Sequence, residues 1–253
     1  MKYDWRFAGL AIALSISGAT VPASAEDEDG VWGPFSATVT LTSDYRFRGQ
    51  SQTDRDAAVQ AGIDYSDASG LFAGIWASTI DFNDPQQSPT EVDFTLGYAF
   101  GFFDAYKGSV TAAYYWYPDS APADYDYFEI IGDASRDFET FSLNAEITYS
   151  PDYSGETGTA VGLTGGVDVP ITLDEIDWLS ASAHIGYQWV DDNAAYQSPD
   201  WFFYDFGLTA AWEVFALDLR YTGTDTAKAD CFGGSELCES GVVLSLTANL
   251  PGS

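Results

Sequence analysis

Ser36-Ala37-Thr38-Val39-Thr40-Leu41-Thr42 alternates small or apolar residues with hydroxyl residues. Successive side chains of an extended chain point to opposite faces, so this stretch has one apolar and one polar side. The same rhythm recurs from Phe35 to Leu250, broken by polar or Gly-containing pieces. In a water-soluble sheet protein a second layer covers the apolar side. No amphipathic helix is visible here to do so, and lipid is the alternative cover.

Counting such segments predicts about twelve strands. They lie near Phe35–Phe47, Ala57–Ser66, Leu71–Phe82, Glu91–Gly101, Tyr106–Tyr117, Tyr125–Asp133, Phe138–Ser150, Thr159–Val169, Trp178–Val190, Phe202–Trp212, Phe215–Thr222 and Gly241–Leu250. An even count suits a bacterial outer-membrane barrel. The connections alternate in length: Asp67–Gly70, Phe102–Asp104 and Glu213-Val214 are tight, whereas Arg48–Asp56, Asn83–Thr90, Asp191–Trp201 and Gly223–Ser240 are long. Short inner turns and long outer loops are the pattern of a transmembrane barrel. Pro170–Asp177 is an exception, a longer connection on the inner side.

Charge obeys the alternation. Phe202, Tyr204, Phe206, Leu208 and Ala210, then Leu217, Leu219 and Tyr221, then Val242, Leu244 and Leu246, share a face without a charge. Asp205, Asp218 and Arg220 stand opposite, as does Asp93 behind Val92, Phe94 and Leu96. A Lys or Arg at lipid mid-depth costs roughly 2–4 kcal/mol, and selection against that cost would leave such a segregation. Leu71–Phe82 is apolar at both parities, with only Asp81 favouring one side. Aromatic residues near the segment ends, among them Tyr45, Phe47, Phe100, Tyr114, Trp116, Trp178, Trp189, Trp201 and Phe202, are expected to form interfacial girdles.

The first residues read as an export signal. Met1–Arg6 precede an apolar stretch from Phe7 to Ile16 and the small-residue site Ala23-Ser24-Ala25, so a cleaved leader is expected over 1–25. A short acidic segment, 26–34, then leads into the barrel, 35–250. The whole chain carries 39 acids against 9 bases, a formal charge of −30. Binding nucleic acid through a basic patch is therefore excluded, and cations are the favoured company. The only cysteines, Cys231 and Cys238, are expected to pair in an exported chain. Two thiols without a nearby His make a poor metal site.

Ser43-Asp44-Tyr45-Arg46-Phe47-Arg48-Gly49-Gln50-Ser51-Gln52-Thr53, followed by Ala58–Tyr65, resembles the TorF family of proteobacterial outer-membrane proteins. Gly74-Ile75-Trp76-Ala77-Ser78, Glu91-Val92-Asp93, Tyr114-Tyr115-Trp116-Tyr117-Pro118, Tyr149-Ser150-Pro151-Asp152-Tyr153 and the late cysteine pair extend the resemblance from about Ser36 to Leu250. It implies an outer-membrane β-barrel assigned as a porin by inference, with no agreed substrate and no cofactor. Members of that family finish on an aromatic residue, whereas this chain ends Asn249-Leu250-Pro251-Gly252-Ser253.

The expected fold is thus all-β, an antiparallel up-and-down transmembrane barrel. Its inward set would include Asp44, Arg46, Arg48, Asp64, Asp93, Glu129, Glu146, Asp168, Asp205, Asp218 and Arg220. Eight strands are filled by side chains and sixteen hold an open channel, so twelve leave a narrow passage. Arginines facing carboxylates across it would set up a transverse field at a constriction. The expected activity is passive passage of small solutes, with cations preferred. Outer-membrane lipid and those solutes would be its partners, without a cofactor. A closed barrel whose outer loops bind a partner is the alternative, and a periplasmic β-sandwich or lipocalin-like carrier is the soluble rival. Catalysis is not expected: His184, the only histidine, points inward with Ser182 and Gln188, away from any lipid substrate. Acidic outer pieces such as Asp191-Asp192, and Asp119 with Asp124 and Asp126, lack calcium-loop spacing.

Overall fold

A computed structural model describes residues 33–84, 88–103, 105–120, 124–173 and 176–250. The expected leader and all but the end of the acidic segment lie outside these residues. Fourteen strands follow in order: β1 Phe35–Thr42, β2 Arg46–Phe47, β3 Gln50–Ser51, β4 Ala58–Ser66, β5 Leu71–Thr79, β6 Thr90–Phe102, β7 Tyr106–Trp116, β8 Tyr127–Asp137, β9 Ser142–Ser150, β10 Ala160–Leu173, β11 Ile176–Val190, β12 Trp201–Trp212, β13 Phe215–Thr224 and β14 Gly241–Leu250. One helical turn, α1 (Asn193–Tyr196), lies between β11 and β12. No helix among the described residues is long and apolar enough to cross a membrane.

Twelve of the strands close into one antiparallel barrel, and β2 and β3 form a separate two-stranded hairpin. Each barrel strand pairs with its neighbours in sequence, and β1 shuts the cylinder between β14 and β4, with Thr42 opposite Ser245 on one side and Ala58 on the other. Closure removes the free edges that an open sheet would expose. The long connections gather at one end, the loop end, and the tight ones at the other, the turn end.

The outward face is apolar. Phe206, Leu208, Leu219 and Leu244 are exposed there, Leu219 to 51%, while Asp93, Glu129 and Arg220 are buried inside. A sandwich or lipocalin-like carrier needs the reverse arrangement, with the leucines packed centrally. Among the described side chains of the strands, Arg136 alone carries a charge on the outward parity. It lies near the turn end, where its guanidinium covers the Tyr106 and Phe138 rings at 5.0 and 4.7 Å and donates to the Tyr106 hydroxyl.

Several boundaries differ from expectation for definite reasons. The first strand stops at Thr42 instead of running to Phe47, because Thr42 and Asp44 begin a turn and residues 44–53 fold inward. The Pro170–Asp177 connection is shorter than expected: β10 runs through Pro170 to Leu173, directly before β11. Pro170 lies beyond the last β9 pair, Asp168 with Ser142, where β10 has a free edge and proline is tolerated. The ambiguous strand β5 turns Leu71 and Ile75 outward, with Phe72 buried inside. Tyr45, Phe47 and Trp201 are not girdle residues, since all three are buried within the barrel. Phe100, Tyr114, Trp116 and Trp189 do stand on the outer surface.

Two inward glycines make room for rings. A Cβ at Gly97 would lie 2.2 Å from the Phe72 ring, and one at Gly186 would lie 2.2 Å from the Phe203 ring and 2.8 Å from the Leu163 carbonyl oxygen. Gly186→Ala is therefore expected to lower stability by about 1–3 kcal/mol through overpacking. Gly165→Ala, whose Cβ would meet nothing closer than 4.0 Å, should leave the urea midpoint of the refolded barrel unchanged.

Candidate functional site

The loop between β1 and β4 doubles back into the loop end of the barrel. Its hairpin reverses at Arg48 and Gly49, which take φ values of 46° and 81°. At Gly49 only hydrogen fits, because a Cβ would lie 2.5 Å from the Gly223 carbonyl oxygen. Asp44 holds the base of the hairpin. Its carboxylate accepts from Arg46 Nε at 2.6 Å, Ser51 Oγ at 2.6 Å and Thr53 Oγ1 at 3.2 Å. Asp44 and Arg46 thus lie inside the barrel as expected, but on a folded loop and not on its wall.

Arg48 reaches the centre. Nη1 and Nη2 each donate to one oxygen of Glu129 at 2.9 Å, a bidentate pair, and Nη1 also donates to Gln188 Oε1 at 2.9 Å. The backbone carbonyl of Arg48 accepts from Trp201 Nε1 at 2.9 Å, and the Tyr115 hydroxyl donates to Glu129 at 3.1 Å. Arg48 is 2% exposed and Glu129 0%. Aromatic rings fill the space around the pair. Tyr115 stacks on Tyr127 at 4.3 Å, Tyr127 meets Tyr153 at 4.8 Å, and Tyr196 of α1 stacks on Trp201 at 5.5 Å. The loop end of the lumen is therefore a packed interior, not a passage.

The disulfide expected between Cys231 and Cys238 is formed, with both residues buried. It shapes a loop that grips the neck of the hairpin. Ser51 N donates to the Leu237 carbonyl at 2.8 Å, Arg46 Nη1 to the Glu239 carbonyl at 2.7 Å, and Arg55 pairs with the Glu239 carboxylate at 3.0 Å. On the exposed side of this loop, a hydrogen bond from Lys228 holds the Glu236 carboxyl below its ordinary range.

A second network lies on the wall formed by β11, β12 and β13. Arg220 contacts Asp205, donates to Asp218 at 3.1 and 3.2 Å and to Ser182 Oγ at 2.8 Å. His184 Nδ1 lies 2.9 Å from the same Asp205. Each lumen arginine is thus neutralised by its own carboxylates, and the transverse field expected across the lumen is replaced by local pairs. The remaining inward acids have no such partner among the described residues: Asp64 faces Gly74 across the ladder, Glu146 faces Asp133, and Asp168 accepts only the Asn144 amide at 2.8 Å. Asp93 Oδ1 is buried without a hydrogen bond. No cluster of three or more His, Cys, Asp or Glu side chains among the described residues is arranged to hold a metal ion.

The inward set expected from the sequence left out Glu91, which is buried and accepts from the Tyr117 hydroxyl at 2.9 Å. Its parity with Asp93 was the available signal. Gln188 was placed inward without its role, and no sequence signal marked Trp201 as an inward donor. The Arg48–Glu129 pair gives a direct test. Arg48→Ala should cost about 3–5 kcal/mol, because a carboxylate is left buried and uncompensated. Adding Glu129→Gln should recover a large part of that loss, read as the urea-unfolding midpoint in detergent micelles.

Solved barrels of similar form are known. The chain superposes on the KdgM porin with a TM-score of 0.58 at 7% identity, covering 86% of this chain and 99% of that one. For the NanC porin the TM-score is 0.55 at 12% identity, with 85% and 98% covered. For LpxR from Salmonella typhimurium it is 0.50 at 10% identity, with 85% and 99% covered. At such identities the likeness is one of fold. No curated protein matches the sequence. The profile of the Gcw_chp family, described as bacterial protein of unknown function, matches residues 27–250, and the chain belongs to that family.

Proposed function

We propose that this chain is an outer-membrane porin-like channel for small solutes, closed at its loop end by its own first loop and opened when that loop withdraws. The observation that carries the reading is the segregation of the twelve-stranded wall, apolar outside, with every charged strand side chain among the described residues except Arg136 on the inward parity. Such a surface suits acyl chains, and the leader expected over 1–25 supplies the route through the periplasm. The resemblance to the TorF family points the same way.

The solute reading follows from charge. The KdgM porin has been solved with oligogalacturonate, a polyanion. Here acids outnumber bases inside, and the three arginines named above are already paired. Carboxylates without a base partner raise the local concentration of cations and repel anions. The plug itself favours a second reading, a barrel that never opens and acts through its outer loops.

Planar-bilayer recording separates the two. Replacing Ser43–Asp56 by a short Gly-Ser turn should convert a mostly silent protein into one with long, steady openings whose reversal potential favours cations. A variant that inserts yet stays silent would favour the permanently closed barrel, and anion-selective openings would refute the charge argument. Leu219→Arg, in the outer belt, should cost about 2–4 kcal/mol of folding free energy in vesicles.

A further inference from the structure

Arg48 sits in its pocket as a ligand sits in a binding site. The acceptors of its guanidinium come from the barrel wall, Glu129 from β8 and Gln188 from β11, while Tyr115 of β7 donates to Glu129, Trp201 of β12 donates to the Arg48 backbone carbonyl, and Tyr153, in the connection before β10, also contacts the side chain. Within the loop, only Phe47 adds a contact to the guanidinium, its ring lying 4.5 Å from Cζ. The wall groups match the shape of a guanidinium as well as its charge. Two carboxylate oxygens receive parallel N–H donors, and a third acceptor lies beside them on Gln188. A compact ammonium cannot satisfy that fork.

The pocket also holds one polar group that Arg48 does not use. Gly162 forms part of its floor, and a Cβ there would lie 2.5 Å from Thr148 Oγ1, 2.8 Å from Gln188 Oε1 and 3.7 Å from the Arg48 guanidinium carbon. Only glycine lets the wall come this close to the guanidinium without a clash. Thr148 is 1% exposed, and its hydroxyl oxygen has no hydrogen-bond partner, so a buried polar group stands ready beside the guanidinium.

We propose that the wall pocket of Glu129, Gln188, Thr148 and Tyr115 is the solute-recognition site of the lumen, that it takes guanidinium-bearing cations, and that Arg48 is a tethered occupant such a solute displaces. This inference rests on the channel reading and adds the substrate class and the means of opening. A tethered group competes at an effective concentration in the millimolar range, so a free solute must reach similar concentrations to displace it. The plug then discriminates: a cation that cannot fill the fork does not release it.

The test empties the pocket and refills it. Purified Arg48→Ala barrel in detergent micelles is titrated with methylguanidinium, read by tryptophan fluorescence and by calorimetry. Saturable millimolar binding is expected, weakened at least about tenfold by adding Glu129→Gln, and methylammonium should bind at least about tenfold more weakly. Absent binding, binding indifferent to Glu129→Gln, or equal binding of methylammonium overturns the proposal. In bilayers, methylguanidinium should block the current of Arg48→Ala over the same range. A variant that conducts but ignores methylguanidinium removes this inference and leaves the channel. A variant that binds it but never conducts removes the channel and leaves the pocket. Should Arg48→Ala not fold, the unaltered protein decides: millimolar arginine should increase its open time where lysine does not, and an equal response to both refutes the pocket.

Discussion

Closure of the sheet with two unlike faces is the constraint on which everything else depends. A strand that ends in a free edge exposes unpaired backbone N–H and C=O groups, and in a hydrocarbon setting each one costs several kcal/mol. The pairing of β1 with both β14 and β4 removes that cost for the whole cylinder. Once closed, the period of two fixes where each residue lies. A slip of one residue anywhere would turn Leu219 inward and Arg220 outward, so the apolar belt and the charged interior specify the register together.

A closed twelve-stranded cylinder then has an interior too wide for its own wall side chains to fill completely. The first loop supplies the missing volume at the loop end. It enters as a tight hairpin because Asp44 gathers Arg46, Ser51 and Thr53 around one carboxylate, which lets a short segment hold its shape away from any sheet. Burying Arg48 and Glu129 is costly in desolvation, and their attraction offsets that cost only because the geometry is bidentate and the remaining acceptors are satisfied. A buried pair of this kind is not by itself a source of net stability. It makes the inserted position of the loop a single defined state, and the disulfide loop fixes the neck from above through Leu237 and Glu239.

Much of this was legible in the sequence, and what was not has a common cause. The strand number, the alternation of long and short connections, the sidedness of Leu208, Leu219 and Leu244, and the cysteine pair could all be read because each depends on local pattern. The plug could not. Tyr45, Arg46, Phe47 and Arg48 alternate just as a wall strand does, and nothing local distinguishes a ring facing lipid from a ring packed against Tyr115 across the lumen. The partners of Arg48 lie 81 and 140 residues away along the chain. The same blindness affects Trp201, which ends a long connection as a girdle residue would yet donates to the carbonyl of Arg48. Parity reports the medium on each face; it does not report whether the inner medium is water or more protein.

That distinction also governs how the acids act. At the loop end, Glu129 is spent on Arg48, and the Asp44 carboxylate is occupied by the hairpin, so neither contributes much field to a passing ion. Nearer the turn end, Asp64, Asp133, Glu146 and Asp168 form no ion pair with a base among the described residues, and all four are partly exposed inside. In the proposed channel, cation preference would arise in the turn half of the lumen, and discrimination between one cation and another at the Arg48 pocket. Dividing the two roles along the axis has a physical consequence. Selectivity for sign, being electrostatic and long-ranged, should weaken as salt shortens the screening length. Selectivity for the guanidinium shape, which depends on buried hydrogen-bond geometry, should not.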